Sequence, residues 1–313
     1  MGRIIFVRFL WALAILFGVS FVAFVLMRAL PGDFAEAATG TTVVDPEVLQ
    51  QMRRDLGIDK PILEQYIVWL GNALRGDFGN SFATRAPVLQ ELGPRFIVTF
   101  QLTIVAALIS MLIGVTTGLI SARLRGSADW IVRAINGLNL AIPNFVVATL
   151  IVLFAGLYFP QIAVFGYTPF LVNPVANIQS LLFPGISLAL TASVVISENT
   201  RAAVLEVSNQ DFVMVARAKG LKPPTVLLHY LVRNALTPVI TVTGLQVANF
   251  LGGSIVIETI FAIPGMGSYM FDSIVGRDYP VIQAIVLVAA GVVVFVNMLV
   301  DIAYARADAR VKL

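Results

Sequence analysis

One short segment holds most of the chemistry this chain can offer to another molecule. Residues 211–221 read DFVMVARAKGL, where Asp211, Arg217 and Lys219 are interspersed with apolar Val213, Val215 and Leu221 and with small Ala216, Ala218 and Gly220. Small side chains beside two cations make a surface that a protein can approach closely. The same residues also read as an ordinary basic loop. Catalysis has little to work with. There is no cysteine, which excludes disulfides, thiolate metal sites and cysteine nucleophiles. His229 is the sole histidine, so the chain alone cannot build a multi-histidine metal site. No G-x-x-x-x-G-K-S/T run occurs, so a phosphate loop of that kind is absent.

The surroundings are apolar. Of 313 residues, 58% are hydrophobic and 12% charged, about half the charge of a soluble domain. Mean hydropathy is +0.89. These values exclude a free globule in water and a disordered chain. Net charge is +3. The basic residues lie between long apolar runs, which points to membrane topology before nucleic acid.

A helix crosses about 30 Å of hydrocarbon with 18 or more residues. Uncharged runs of that length cover 9–27, 96–122, 234–257 and 279–300. The uncharged stretch 134–197 is too long for one crossing, and Pro160, Gly166, Pro169, Pro174 and Pro184 punctuate it. It reads as two spans, 134–158 and 183–201, joined by an apolar loop. The total is six. Backbone in lipid must satisfy its own hydrogen bonds, so the spans are expected to be helices, and runs such as IVLVAAGVVVFV do not alternate as barrel strands do. The first run is too long for a signal peptide and reads as an uncleaved anchor.

Charge then sets orientation. With the N terminus inside, the inner segments hold Arg3, Arg8, Arg123, Arg125, Arg133, Arg217, Lys219, Lys222, Arg233, Arg306, Arg310 and Lys312, while the short outer segments hold only Arg277. The bias predicts both termini in the cytoplasm. Between the first two spans lies a longer outer segment with helical periodicity. Leu63, Ile67, Leu70 and Leu74 repeat on one face, and Asp45 before Pro46 makes a helix start. Tyr66, Trp69 and Phe78 suit headgroup level. The segment reads either as a helical cap on the outer membrane face or as a docking surface for an external partner.

Residues 198–238 form the one substantial polar segment inside. A helix is expected over 201–219, ended by Gly220 with Arg217 and Lys219 in its last turn. Pro223 and Pro224 enforce a turn, and Thr225 starts a second helix. The result is a helical hairpin leaving the membrane.

This hairpin resembles the cytoplasmic EAA loop of bacterial ABC importer permeases. DFVMVARAKGL (211–221) with LVRNALTPV (231–239) is similar to the dipeptide/oligopeptide permease family in particular. LPGD (30–33), an LG…P…QY..WL pattern (56–70), GDFGNS (76–81), LGGSIVIETIFAIPGMG (251–267), RDYPVIQA (277–284) and NMLVDIAYARADAR (297–310) follow the family in order over nearly the whole chain. There are departures. Met214 stands where the acidic residue of the EAA motif falls, Arg233 where a later proline falls, and the terminal DAR replaces a D-P-R pattern.

The resemblance implies an all-α, polytopic membrane protein with six transmembrane helices. Residues 1–30 form the tail and first helix, 31–95 an extracytoplasmic loop with its cap, and 96–313 a five-span core. The site is a coupling hairpin at about 204–233, between helices 4 and 5, in the bacterial inner membrane. Such permeases form half of a pathway. A second permease completes it, two ATPase subunits using ATP and magnesium drive it, and an extracytoplasmic binding protein delivers peptide. No cofactor is expected on this chain, which is a non-catalytic subunit. Val213, Val215 and Leu221 would pack in an ATPase groove, Arg217 and Lys219 would pair with acids at its rim, and Asp211 would cap or orient the helix. Asn136, Asn139, Asn144, Gln246 and Asn249 are candidate pathway residues, each equally readable as an interhelical hydrogen bond. Gly114 and Gly118 form a G-x-x-x-G packing pair. Glu258 and Asp301 should lie near an interface, paired or facing water.

Two other classes fit poorly. An intramembrane enzyme needs clustered acids, histidines or a serine–lysine pair, and the spans contain no lysine. A secondary transporter or channel generally carries intramembrane carboxylates or inverted repeats, and the spans are nearly free of charge. Similar permeases also serve glutathione, nickel chelates, and some sugars or opines.

Overall fold

Apolar runs without hydrogen-bonding side chains leave the helix as the way to satisfy the backbone in lipid. The computed structural model describes residues 2–29, 45–55, 59–124, 126–159 and 164–307, and long helices dominate it. They are α1 (Gly2–Ala29), α2 (Pro46–Asp55), α3 (Ile62–Ala73), α4 (Val88–Arg123), α5 (Ser127–Ala141), α6 (Asn144–Tyr158), α7 (Pro174–Ser208), α8 (Asp211–Ala218), α9 (Arg233–Ile260), α10 (Met266–Val275) and α11 (Tyr279–Ala307). Among the described residues five helices are long and apolar enough to cross a membrane, and the bent pair α5–α6 makes a sixth crossing if it is one span. LPGD (30–33), Leu56–Gly57, Arg125, Pro160 and the DAR terminus with Arg310 and Lys312 lie outside the described residues.

The expected third span, 134–158, is not straight. α5 and α6 meet at 95°. Pro143 has no N–H to donate and disfavours helical backbone in the residue before it, and Ile142 is extended (φ −101°, ψ 117°). The expected fourth span is longer than 183–201. Pro174 begins it at the first helical turn, where a missing N–H costs nothing, and Asn173 caps it by accepting from the Ala176 N–H at 3.1 Å. Pro184 sits inside α7 without ending it.

The chain divides into two compact units, one of residues 1–99 with 264–295, the other of 100–263 with 296–313. In the second, α7 is the central element. Of its most apolar window 61% is buried, against 33% or less for the other unbroken spans. It packs against α9, α6 and α5. Gly114 and Gly118 let α4 approach it. A Cβ at Gly114 would lie 2.7 Å from the Ser193 carbonyl, and one at Gly118 would lie 2.5 Å from that of Ser197. The G-x-x-x-G pair is therefore a contact between two backbones.

In the first unit, Asp45 starts α2 by accepting the Glu47 N–H at 3.0 Å. The GDFGNS loop turns on Gly76 and Gly79, both at positive φ. It is held by Asp278, whose carboxylate takes the Ser81 hydroxyl at 2.5 Å and the Ala83 N–H at 3.2 Å. Beside it Val88, Leu92, Met266, Tyr269, Val281 and Ile285 form one apolar cluster. Burial first, then a hydrogen bond to Glu91, holds the Tyr269 phenol above its ordinary pKa, so it donates to that carboxylate at 2.5 Å. Tyr66 is buried against α1, enclosed by Phe17, Phe21 and Phe24 with ring centroids 5.1–5.7 Å away.

Candidate functional site

The hairpin that carries the candidate residues is more sharply bent than its sequence suggests. The expected single helix 201–219 stops at Ser208, and a new one, α8, starts at Asp211. Ser208 and Asn209 are residues whose side chains compete for backbone hydrogen bonds. Arg217 Nη2 donates to Ser208 Oγ at 2.9 Å across the corner. α8 then ends on a pair of backbone bonds, Gly220 N–H to Arg217 O at 2.9 Å and Leu221 N–H to Ala216 O at 3.3 Å. This is a Schellman cap, and it needs the left-handed residue that Gly220 supplies at φ +72°.

Two faces of α8 have different duties. Val213 and Ala216 are buried, in a cluster with Ala122, Ala203, Val204, Val226, Leu231 and Ala235. Val213 is therefore not available to an outside groove, and Ala216 is not exposed beside Ala218. Both anchor α8 to the membrane core. The outward face carries Phe212, Met214, Val215 and Leu221, 37–54% exposed, together with exposed Asp211, Arg217, Ala218, Lys219 and Gly220. Phe212 and Met214 were missed in the sequence. Both 212/215 and 213/216 are i, i+3 pairs, so spacing alone does not say which pair faces in. Asp211 makes no side-chain cap bond, the N-cap being Gln210, but its charge lies in the first turn, where the helix dipole favours it. Beyond Gly220 the chain passes Pro223 and Pro224 into a π-helical turn, Val226–Val232, which contains exposed His229 and runs directly into α9.

The candidate pathway amides do not converge on one point. Asn136 Nδ2 donates to Glu198 Oε1 at 2.9 Å and reaches Ser197 Oγ at 3.3 Å, tying α5 to α7. Thr117 adds a 3.0 Å bond from α4 to the same Ser197. Asn144 accepts from Thr191, tying α6 to α7. Asn139 is half-buried. Gln246 is buried and accepts from the exposed Asn249 at 2.9 Å, one turn along α9. Nearby, Asp129 accepts both Nε and Nη2 of Arg201 and also the Ser121 hydroxyl. That pair was not anticipated, since its members lie 72 residues apart and no local spacing links them. Glu258 is fully buried.

An exposed apolar patch with two cations, rigidly backed and projecting from a helical membrane core, is equipped to receive a protein. Residues 114–313 match the family "Binding-protein-dependent transport system inner membrane component", and residues 1–103 match the N-terminal model for the membrane component of the same systems. The chain belongs to this family. As a family member it is a multi-pass inner-membrane permease, a non-catalytic subunit of an ABC transporter. The permease is 36% identical to an oligopeptide transport system permease protein of Bacillus subtilis, with both chains covered in full. It is 35% identical to a di/tripeptide transport system permease protein of Pseudomonas aeruginosa, over 95% of this chain and 94% of that one. A putative peptide transport system permease protein of Brucella abortus is 37% identical over 100% and 99%. Among solved structures an amino acid ABC transporter matches with a TM-score of 0.51, at 17% identity, over 69% of this chain and 94% of that one, a likeness of fold.

Proposed function

We propose that this permease forms half of the translocation pathway of an ATP-driven peptide importer, with both termini and the 204–233 hairpin in the cytoplasm. A second permease completes the pathway, two ATPase subunits holding ATP and magnesium seat on the two hairpins, and an extracytoplasmic binding protein delivers the peptide. The observation that carries this reading is the division of labour within α8. Val213 and Ala216 lock the helix to α7 and to the π-turn before α9, while Phe212, Val215, Arg217 and Lys219 stay exposed. A displacement of α8 by closing ATPases thus reaches the spans as a rigid-body motion. Full-length relatives named as peptide permeases support the cargo.

The test is uptake of a labelled dipeptide into vesicles holding the four-subunit complex. Accumulation should require both ATP and the binding protein. Uptake by this chain alone, or without nucleotide, would overturn the reading.

A further inference from the structure

α3 does not stand above the membrane end of α1. It is pinned part-way down it. Tyr66 Oη lies 2.8 Å from Ser20 Oγ and 3.4 Å from the Phe17 carbonyl. Ser20 lies nine residues before Ala29 in the apolar stretch Phe6–Ala29, about 13 Å along the axis. A tyrosine side chain is too short to bridge that from outside. Nearer the end, Arg28 Nε donates to Gln65 at 2.5 Å, and Trp69 meets Phe24 at 5.5 Å. These contacts fix the depth of α3 beside the last three turns of α1.

α1 covers Tyr66, and Ala73 is also buried. The neighbouring stripe stays open. Leu63, Ile67 and Leu74 are 59%, 62% and 81% exposed, with Leu70 between them. Asn72 lies on the opposite side of the helix, and Glu64, at the flank of the stripe, pairs with Lys60 at 2.7 Å. The stripe holds no charge and no donor, and on α1 Phe21, whose ring lies 5.1 Å from that of Tyr66, is likewise exposed, as are Val22 and Leu26. We propose that α3 is an interfacial helix embedded in the leaflet that surrounds the C-terminal end of α1, with Leu63, Ile67 and Leu74 in contact with lipid acyl chains. An amphipathic helix lying in that plane buries its apolar side about 5–10 Å deep. A docking surface for a soluble partner would need this stripe in water, and its depth beside α1 argues for lipid instead.

The absence of cysteine makes the test direct, since any introduced thiol is unique. Leu63→Cys, Ile67→Cys, Leu74→Cys, Glu64→Cys and Asn72→Cys would each carry a nitroxide in the full chain, in vesicles of phosphatidylcholine and phosphatidylglycerol. Collision with dissolved oxygen is then compared with collision with a water-soluble nickel chelate. The oxygen-to-nickel ratio at 63, 67 and 74 should exceed that at 64 and 72 by roughly threefold or more, as immersion in acyl chains requires. Nickel accessibility at 67 and 74 equal to that at 72 would place the stripe in water and overturn the proposal. Exclusion of both reagents at all three positions would mean that protein covers it, with the same consequence. Three independent labels guard against one that perturbs the fold. Peptide uptake plays no part, so failure of the transport reading would leave these ratios unchanged.

Discussion

Asp129 and Arg201, 72 residues apart, meet as a bidentate pair, with Nε to Oδ1 and Nη2 to Oδ2 both at 2.9 Å. The bond joins the first turn of α5 to the last third of α7, the helix that leads into the 204–233 hairpin. α5 and the hairpin therefore share an anchor. Asp129→Asn should lower the midpoint of thermal unfolding and reduce the peptide taken up per ATP hydrolysed. Lys at 201 cannot reproduce the two-pronged contact and should act similarly. The exchange Asp129→Arg with Arg201→Asp should recover part of the loss. Equal coupling ratios in all variants would reject the shared anchor.

Gly220 provides a second test, through backbone conformation rather than space. No atom lies within 4 Å of where its Cβ would be, so a larger side chain meets no clash. The cost comes from φ +72°, about 1 kcal/mol for most residues and less for Asn. Gly220→Val should weaken ATPase association in co-purification, and Gly220→Asn should restore most of it. Membrane insertion should be unchanged in both. Identical association in the two variants would mean that the left-handed cap does not shape the docking surface.

At the α4–α7 crossing the limit is steric. Gly118→Leu must push Ser197 and Thr200 away, at a cost of about 1–3 kcal/mol for overpacking, and Gly114→Leu must displace Ile196. Both should lower thermal stability in detergent. Gly137→Leu, at a helical glycine with open space around its Cβ position, is the control for side-chain size alone. Equal stability of the Gly118 and Gly137 variants would count against the close crossing.

Ser81→Ala removes one of the two groups that hold the Asp278 carboxylate, which is buried. Leaving a buried acceptor short of a partner costs roughly 1–3 kcal/mol. The loop 76–87 should then be cut faster by protease than in the unaltered chain. Unchanged cleavage would show that Asp278 does not hold it.

The Tyr269 phenol is raised above its ordinary value near 10, first by burial and then by Glu91. The protonated form is the one that donates to Glu91. Its contribution to stability is complete below the ordinary tyrosine value and is lost as pH climbs through the raised one. The ultraviolet difference spectrum between the unaltered chain and Tyr269→Phe should therefore show no phenolate from this residue about one unit above pH 10. Phenolate signal at that pH would contradict the buried contact.

How much of this was legible beforehand depends on the kind of signal. Uncharged length gave the spans, because hydrocarbon thickness imposes it. The Gly220 cap and the G-x-x-x-G crossing were legible because both depend on the one residue without a Cβ. The right angle at 142–143 was written in Pro143 but hidden inside an unbroken apolar run, since hydropathy is blind to backbone direction. The inward turn of Val213 was not legible, because its spacing to Ala216 equals that of Phe212 to Val215. The Asp129–Arg201 pair depends on α5 crossing back to α7, which no local pattern encodes. The same is true of Tyr66. Its aromatic ring suits a headgroup as well as a core, and only the fold brings Ser20 to it.

The central claim is that α8 hands the work of ATP hydrolysis to the membrane helices through its outward face. A photo-crosslinking amino acid at Val215, in vesicles of the assembled transporter that take up peptide, tests this most directly. The account predicts a covalent product with an ATPase subunit, and its loss when the crosslinker is moved to buried Val213. Active vesicles in which position 215 reacts only with lipid or water would contradict it.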